Sequence, residues 1–213
     1  MSEARFITLE GIEGAGKSTI ARALQRELGR RGVPALLTRE PGGTPLAEAL
    51  RAVLLKRGPE RISPAAETLL MFAARAVHLD NAIRPALAAG RWVICDRFTD
   101  ASFAYQGAGR GVDESLLEQL AASVHAELWP ARTLLLDLPV AAGLARARSR
   151  AGSPDRFETE EVEFFERVRE GYLRRAASTP ERFRVIDAML PPAQVAAAAV
   201  TALHDFWPKP EER

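Results

Sequence analysis

Short apolar runs alternate with longer amphipathic stretches along this 213-residue chain. Each apolar run has the length of a buried strand, and each longer stretch repeats apolar residues every three to four positions, as one face of a helix does. The predicted strands cover residues 5–9, 35–38, 92–96, 133–137 and 184–187. The predicted helices cover residues 17–31, 44–56, 65–89, 114–127, 139–150, 159–177 and 192–206. This alternation predicts a parallel sheet with helices on both faces.

The connection between the first strand and the first helix carries the most specific motif. Its glycines, Lys17 and Ser18 follow the spacing G-x-x-x-x-G-K-S of a P-loop. Backbone N–H groups of such a loop surround phosphate oxygens, and the following helix N-terminus adds partial positive charge. The lysine contacts the β- and γ-phosphates, and the serine hydroxyl is a ligand for Mg²⁺. The predicted ATP-binding residues are Gly11, Ile12, Glu13, Gly14, Ala15, Gly16, Lys17, Ser18 and Thr19.

The fold class that follows is α/β: a P-loop NTPase with three α/β/α layers, a five-stranded parallel sheet and a short arginine-bearing lid. The length is that of one domain, so residues 1–213 are expected to form a single P-loop kinase domain. Within it we expect the lid at residues 146–158 and a frayed tail at 208–213. Parallel sheets bind ligands beyond the carboxyl ends of their strands, so functional residues should cluster there.

Composition and charge exclude several classes of function. Apolar residues make up 47% of the chain and the formal net charge is +1, so we expect a globular protein that does not bind nucleic acid through bulk charge. Cys95 is the only cysteine, which leaves no partner for an intrachain disulfide. No apolar run is long enough to span a membrane, and no signal-peptide pattern is present. We therefore predict a cytoplasmic protein without membrane or nucleic-acid partners.

Charged residues follow the second and third predicted strands. Asp96 ends a strand and is placed to act on Mg²⁺, while Arg97 and Arg39 are placed for phosphates. The plain alternatives are a turn cap for Asp96 and a surface arginine for Arg39. The third strand is then followed by polar and aromatic residues and a predicted loop: Ser102, Tyr105, Gln106 and residues 107–111. The strand-end positions of the charged residues favour the functional interpretation.

The long predicted helix carries a second set of candidates. Phe72 and Arg75 lie three residues apart on one face, where the ring could stack on a flat base and the guanidinium could donate to its carbonyl. A core position for Phe72, beside other apolar residues, is the stronger interpretation on the residues alone. On the same helix we predict that His78 and Asp80 are solvated.

Four arginines flank a helix break in the predicted lid: Arg146, Arg148, Arg150 and Arg156. Gly152 and Pro154 interrupt the helix between them. A mobile segment of this kind brings charge to a migrating phosphoryl group and excludes water. Since arginine is common in this chain, a solvated helix face is the alternative.

Taken together, these stretches resemble bacterial thymidylate kinases. The similar pieces, in family order over nearly the whole chain, are residues 11–19, 38–44 (T-R-E-P-G-G-T), 70–75 (L-M-F-A-A-R), 96–98, 104–111 (A-Y-Q-G-A-G-R-G) and 155–158 (D-R-F-E). The second and fifth are the specific ones, because a P-loop alone names only a superfamily. The resemblance implies phosphoryl transfer from ATP to dTMP with Mg²⁺, giving dTDP and ADP, and a homodimer.

The resemblance also implies roles at the monophosphate and its sugar. Arg39 and Arg97 would hold the phosphate of dTMP. Glu13 would hydrogen-bond the 3′-hydroxyl of the sugar. Tyr105 would crowd the sugar C2′ and so favour deoxyribose over ribose.

For the base, the resemblance implies three contacts. Phe72 would stack on thymine, and Arg75 would donate to a thymine carbonyl. Ser102 takes the polar position that contacts the base, and Gln106 completes the set of substrate-binding residues. Another nucleoside monophosphate kinase, such as one for guanylate or cytidylate, is the alternative. Phe72 with a single arginine suits a pyrimidine carbonyl better than a purine edge.

At the ATP side, the P-loop has no arginine at positions 12 or 15, which resembles the subgroup that supplies its catalytic arginine from the lid. We favour Arg148 and Arg150, with Arg156 tied to the acids at 155 and 158. The predicted catalytic set is Lys17, Arg97, Arg148 and Arg150, and the predicted metal ligands are Ser18 and Asp96. Residues 187 and 188 are expected to border the adenine. A regulatory GTPase would need an N-K-x-D motif, which the sole asparagine, Asn81, does not provide.

Overall fold

The computed structural model describes residues 5–126, 128–149, 156–157 and 160–207 of the chain. Five strands form one sheet. They are β1 (Phe6–Glu10), β2 (Ala35–Arg39), β3 (Trp92–Asp96), β4 (Arg132–Asp137) and β5 (Phe183–Asp187). Each begins and ends within one residue of its prediction, so the strand assignment is confirmed.

The sheet is parallel throughout, with the strand order β2-β3-β1-β4-β5. The central strand β1 is buried along its whole length, as expected for a strand covered on both faces. In register, Asp96 of β3 lies beside Leu9 of β1 and Arg39 of β2. The P-loop, Arg39 and Asp96 therefore leave the sheet at the same edge, and the predicted P-loop α/β/α fold is confirmed.

Nine α-helical segments accompany the sheet in the described part of the chain. They are α1 (Lys17–Arg30), α2 (Pro45–Leu55), α3 (Pro64–His78), α4 (Arg84–Ala88), α5 (Thr99–Ser102), α6 (Glu114–Val124), α7 (Val140–Arg148), α8 (Val162–Ser178) and α9 (Pro192–Thr201). Side chains cap three of the described starts, since Thr44 accepts from Ala47 N, Ser63 from Ala66 N and Asp113 from Ser115 N. None of these helices has the length and apolarity that crossing a bilayer requires.

Two π-helical turns extend the helices beyond the ordinary pattern. Leu79–Ile83 joins α3 to α4, so the stretch predicted as one helix is interrupted by wider turns. Pro85 has no N–H to donate to the carbonyl four residues earlier, which accounts for the change in hydrogen bonding there. Phe103–Gly109 likewise continues α5, so the loop predicted from residue 107 is wrong as far as residue 109.

The glycine in this second turn serves packing. A Cβ on Gly109 would lie 2.6 Å from the Phe164 ring of α8. Gly171 of α8 is under the same constraint, because its Cβ would lie 2.7 Å from Ala108 Cβ. These glycines let α8 lie directly against the turn. The glycine-rich composition of residues 107–111, which predicted a loop, thus allows close packing between two helices.

Candidate active site

Positive φ angles shape the P-loop. They are 134° at Gly11, 75° at Gly14 and 90° at Gly16, a range that favours glycine. A Cβ on Gly14 would overlap the carbonyl oxygen of Gly143 in α7. Gly16 is the N-cap of α1, so the loop ends at a helix N-terminus, where backbone N–H groups and the helix dipole favour an anion.

Lys17 is held across this loop. Its Nζ donates to Gly11 O at 2.9 Å and to Ile12 O at 3.0 Å. Burial, followed by the nearby charge of Arg97, lowers the pKa of Lys17 to about 8. A phosphate beside Nζ would favour the charged form, so ligand binding and lysine charge reinforce each other.

Ser18 and Asp96 meet at the loop. Ser18 Oγ donates to Asp96 Oδ2 at 3.0 Å, although 78 residues separate them in the sequence. A hydroxyl and a carboxylate at this separation form a set of hard oxygen ligands of the kind Mg²⁺ prefers. The residues present therefore fit the predicted metal.

Two adjoining pockets open beyond the carboxyl ends of the strands. The polar pocket has a volume of about 470 Å³ and is lined by Glu13, Gly14, Gly16, Lys17, Ser18, Thr19, Arg22, Arg39, Glu40, Arg51, Asp96, Arg97 and Arg146. The apolar pocket has a volume of about 90 Å³ and is lined by Glu13, Glu40, Pro41, Arg51, Leu55, Met71, Arg75, Arg97, Phe98, Ala101, Ser102, Tyr105, Gln106 and Phe157. Most of the predicted site residues lie in one or both.

Glu13, Arg97 and Tyr105 form the wall between the pockets. Arg97 Nη2 donates to Glu13 Oε1 and to the Tyr105 hydroxyl, both at 2.8 Å, and that hydroxyl donates to Glu13 Oε2 at 2.6 Å. The backbone of Arg97 has a φ of 73°, an uncommon conformation for a residue with a side chain. Strain of this kind is typical of functional sites, and here it turns the guanidinium toward both pockets.

A buried acid that the sequence did not single out supports this wall. Glu10, at the end of β1, accepts from the Tyr172 hydroxyl at 2.7 Å and from Phe98 N at 2.7 Å. Tyr172 in turn accepts from Arg97 Nη1 at 3.0 Å. Burial, and then the charge of Asp100, raises the pKa of Glu10 to about 8. An acid at the end of an apolar strand is the only sequence signal that could have indicated this role.

Arg75 lies where the sequence predicts, on the apolar pocket, and is almost completely buried. Its Nε donates to Glu40 Oε2 at 2.7 Å. Its Nη2 donates to Ser102 Oγ at 3.0 Å and to Phe98 O at 3.2 Å. The remaining nitrogen, Nη1, is buried and has no hydrogen-bond partner among the described residues. An unpartnered buried donor is costly, so Nη1 is a candidate to donate to a bound ligand.

Phe72 has the core position that the residues alone favour for it. Phe72 is 2% exposed and packs with Phe103, Leu117 and Ala121, and the Arg75 guanidinium lies 4.6 Å from the centre of its ring. Met71, one residue earlier on the helix, lines the apolar pocket instead. The Phe72 ring thus packs against the Arg75 guanidinium from the core, and Met71 is the residue that faces the pocket.

His78 and Asp80 have opposite environments. The prediction of a solvated His78 is wrong, because this residue is fully buried and bonded to Thr38 and Glu40. Asp80 is exposed and pairs with Arg84 at 2.6 Å. His78 lies three residues after Arg75 on the buried face of α3, whereas Asp80 lies in the π turn and is exposed.

Gln106 and the end of the lid converge on one carboxylate. Gln106 Nε2 donates to Glu67 Oε1 at 2.8 Å, and Arg156 Nη2 lies 2.8 Å from Glu67 Oε2. Arg156 also donates to Leu54 O at 3.0 Å. These are partners that the sequence did not predict for Arg156; the acids at 155 and 158 lie outside the described residues. The contacts join the lid to α2 and α3 beside the apolar pocket.

Two further arginines reach the polar pocket from the segment after β2. Arg39 lines it and pairs with Glu48 at 2.9 Å in an exposed contact. Arg51 lines both pockets and donates to Pro41 O at 2.9 Å, and only its charge could have indicated it beforehand. Exposed ion pairs are weak, so Arg39 can exchange its partner for a phosphate at little cost.

The lid arginines separate into different environments. Arg146 lines the polar pocket and also a third pocket, of about 320 Å³, that extends from the P-loop to Ala188 and Leu190. Its Nη1 donates to Ala188 O at 2.7 Å. Arg148 is exposed at the end of α7, and Arg150 lies outside the described residues. The sequence grouped these arginines together, whereas the structure brings Arg146 to the P-loop.

Comparisons with known proteins agree with this geometry. The family model described as thymidylate kinase matches residues 9–199. The thymidylate kinase of Alkalilimnicola ehrlichii is 54% identical over 96% of this chain and 93% of its own length, and that of Chromohalobacter salexigens is 57% identical over 88% and 89%. The crystal structure of thymidylate kinase from Ehrlichia chaffeensis is 34% identical and matches with a TM-score of 0.77 over 93% of this chain and 97% of that one. The chain therefore belongs to the thymidylate kinase family of nucleotide-phosphorylating enzymes.

Proposed function

We propose that the chain transfers the γ-phosphoryl group of ATP to dTMP, giving dTDP and ADP for dTTP synthesis. The observation that carries this proposal is the shared wall of the two pockets. Glu13 and Arg97 line both, so a phosphate chain on the P-loop and a monophosphate in the apolar pocket would meet at that wall. Proximity of two bound reactants is the main source of rate enhancement in a transfer of this kind.

The proposed phosphoryl transfer needs no strong general base. The acceptor is a phosphate oxygen that is already anionic at neutral pH, so the barrier comes mainly from bringing two anions together. Lys17, Arg39 and Arg97 line the polar pocket and offset this repulsion. We therefore assign Lys17 to the β- and γ-phosphates of ATP, and Arg39 and Arg97 to the phosphate of dTMP.

Mg²⁺ is the metal that we propose for the polar pocket. Ser18 and Asp96 both line it and present oxygens 3.0 Å apart. A bound Mg²⁺ would supply positive charge that offsets the negative charge developing during phosphoryl transfer. Ser18 would ligate the ion, and Asp96 would contact it directly or through water.

For the base we propose a pyrimidine held between polar and apolar contacts. Arg75 Nη1 is the donor for a base carbonyl, and Ser102 and Gln106 supply further polar atoms in the same pocket. Met71 supplies the apolar contact to the base that the resemblance implied for Phe72. Its polarisable thioether packs well against a flat ring. Glu13 is assigned to the 3′-hydroxyl of the sugar.

The third pocket is the proposed adenine site. Its walls are largely apolar and include Ile20, Pro192 and Val195, with Arg146 and the region of Ala188 at its edge. An apolar slot beside a phosphate site suits a flat base that continues from the phosphate chain. We keep Arg148 and Arg150 as the proposed source of the catalytic charge, to be tested by the substitutions described in the Discussion.

Replacing Tyr105 by Ala should relax discrimination against ribose. A 2′-hydroxyl pressed against the ring loses its water without gaining a partner, which costs roughly 1–3 kcal/mol, or about 5- to 150-fold. The measurement is kcat/KM for dTMP and for its ribose analogue. Tyr105→Phe keeps the ring and removes the bonds to Glu13 and Arg97, so it should retain the preference for deoxyribose. An unchanged ratio in Tyr105→Ala would refute this role.

We also propose a homodimer formed through α2 and α3. These helices pack against each other and present an exposed apolar surface. This outer surface consists of Leu46, Ala49, Val53, Leu69 and Ala73. Leu46, Val53 and Leu69 are 58%, 52% and 56% exposed, an unusual density of large apolar side chains for a monomer surface.

Leu69→Glu should weaken the dimer, because two unpaired charges would be buried at the interface. We expect the dissociation constant to rise by at least about 100-fold. Sedimentation velocity over a range of concentrations measures it. Val185→Glu is the control, since Val185 is similarly exposed but lies on β5 at the opposite edge of the sheet. Equal behaviour of the two variants would exclude this surface.

A coupled assay of ADP release with the four deoxynucleoside monophosphates tests the proposed function. We expect dTMP to give the highest kcat/KM of the four. A higher value for dGMP or dCMP would refute the choice of dTMP while leaving a monophosphate kinase. The predicted cytoplasmic location stays a prediction from the sequence.

A further inference from the structure

A buried cluster behind the apolar pocket consists of Glu40, His78 and Cys95, whose potential ligand atoms all lie within 4.8 Å of one another. Such a set could hold a metal ion, but its polar atoms already have partners. Both nitrogens of His78 are engaged, with Thr38 and Glu40, and the Cys95 thiol donates to Arg97 O at 3.0 Å. The cluster therefore functions as a hydrogen-bond network.

The hydrogen bonds of this network connect Thr38 to Arg75 through His78 and Glu40. Thr38 Oγ lies 2.7 Å from His78 Nε2, and His78 Nδ1 lies 3.1 Å from Glu40 Oε1. The other carboxylate oxygen of Glu40 accepts from Arg75 Nε at 2.7 Å. Thr38 is on β2 and His78 ends α3, so the network joins the sheet to the helix that carries Arg75.

The charges fix the direction of these bonds. Burial acts to raise the pKa of Glu40, but the charge of Arg75 and the hydrogen bond from His78 outweigh it and hold that pKa below its usual value. The carboxylate is thus an acceptor, and His78 Nδ1 is the donor to it. Thr38 Oγ contacts Nε2 on the other side of the ring, so both nitrogens of His78 have a partner.

Close packing around His78 holds its imidazole ring in one orientation. A Cβ on Gly43 would collide with His78 Nε2 and lie 2.6 Å from Thr38 Oγ, and the φ of Gly43 is 87°. His78 itself is 0% exposed. The ring is therefore held at the distance where it meets both partners, and Glu40 receives a fixed donor.

The fixed Glu40 carboxylate determines which nitrogens of Arg75 have hydrogen-bond partners. Glu40 and Ser102 occupy its Nε and Nη2, and this leaves Nη1 as the guanidinium nitrogen without a partner in the described structure, on a residue that lines the apolar pocket. If the Glu40 carboxylate rotated, it could accept from a different guanidinium nitrogen and withdraw Nη1 from the ligand.

We propose that His78, oriented by Thr38, is a positioning residue that fixes Glu40 so that Arg75 presents Nη1 to a carbonyl of the monophosphate's base. This inference rests on the proposed function, because it concerns how the same pocket binds dTMP. His78 acts through Glu40 and Arg75 and touches no substrate. Its loss should weaken binding of the monophosphate and spare binding of ATP.

Two substitutions separate the nitrogens of His78. His78→Asn keeps an amide nitrogen near the position of Nδ1, whereas His78→Gln places its amide near Nε2 and loses the donor to Glu40. For His78→Gln we expect the KM for dTMP to rise about tenfold, the usual effect of losing one hydrogen bond to a charged group, with kcat and the KM for ATP nearly unchanged. His78→Asn should restore most of the affinity for dTMP.

The outcomes distinguish the two proposals. A wild-type KM for dTMP in His78→Gln, or a parallel rise in the KM for ATP, would overturn the positioning role while wild-type turnover of dTMP still supports the proposed function. No turnover of dTMP by the wild type would overturn both. If His78→Gln does not fold, Thr38→Val against Thr38→Ser carries the test. A higher KM for dTMP in the valine variant alone supports the role, and equal values overturn it.

Discussion

Lys17→Ala lowers turnover by at least about 100-fold, because it removes a positive charge that stabilises the transferring phosphoryl group. The fold is expected to survive, since Lys17 Nζ contacts only the carbonyls of Gly11 and Ile12 at the loop, as far as its hydrogen bonds are described. Steady-state kinetics with dTMP and ATP, together with the unfolding temperature, measure the two expectations separately.

Lys56→Ala is the matched control for this substitution. Lys56 is exposed at the C-terminal end of α2, so its loss removes a lysine charge without touching the P-loop. We expect wild-type turnover from it. Near-normal turnover in Lys17→Ala, with Lys56→Ala as the reference, would contradict the assignment of the P-loop.

Removal of the catalytic lid arginine lowers turnover by about 1000-fold and hardly changes the dissociation constant for ATP. The contact forms mainly in the transition state, which separates it from ground-state binding. Arg148→Ala and Arg150→Ala are the two variants, and at least one should behave in this way. Pre-steady-state turnover and ATP titration by calorimetry measure the two quantities independently.

Arg146→Ala provides the contrast, since Arg146 borders the proposed adenine site and holds Ala188 O at 2.7 Å. Its loss should weaken ATP binding more than it slows turnover. If Arg148→Ala and Arg150→Ala both keep turnover within a few-fold of wild type, the lid is not the source of the charge. Arg97 and Arg156 are then the next residues to replace.

The strands and the P-loop could be predicted because their signals are local. A fully buried strand such as β1 is a short apolar run between polar residues, and the P-loop needs glycine where φ is positive. The strand order places Arg39 and Asp96 side by side. Residues that follow strands of one parallel sheet meet at one edge, so most of the site could be inferred from strand ends.

The face that a helical residue presents was less predictable. Met71 and Phe72 are adjacent and both apolar, so a pattern with 3.6-residue periodicity does not decide which of them faces the pocket. The π turn at residues 103–109 has the glycines of a loop, but they make room for α8. Glu10 and His78 are buried polar residues whose partners lie far away in the sequence, and no local pattern reports such contacts.

Transfer of label from γ-³²P-ATP tests the central claim most directly. The chain is incubated with each of the four deoxynucleoside monophosphates, and the labelled product is separated and identified. We predict label in the β-phosphate of dTDP, with dTMP preferred over the other three acceptors. Lys17→Ala should transfer label at least about 100-fold more slowly than the wild type. Label recovered only as inorganic phosphate, or transferred equally well to dGMP, would contradict the account.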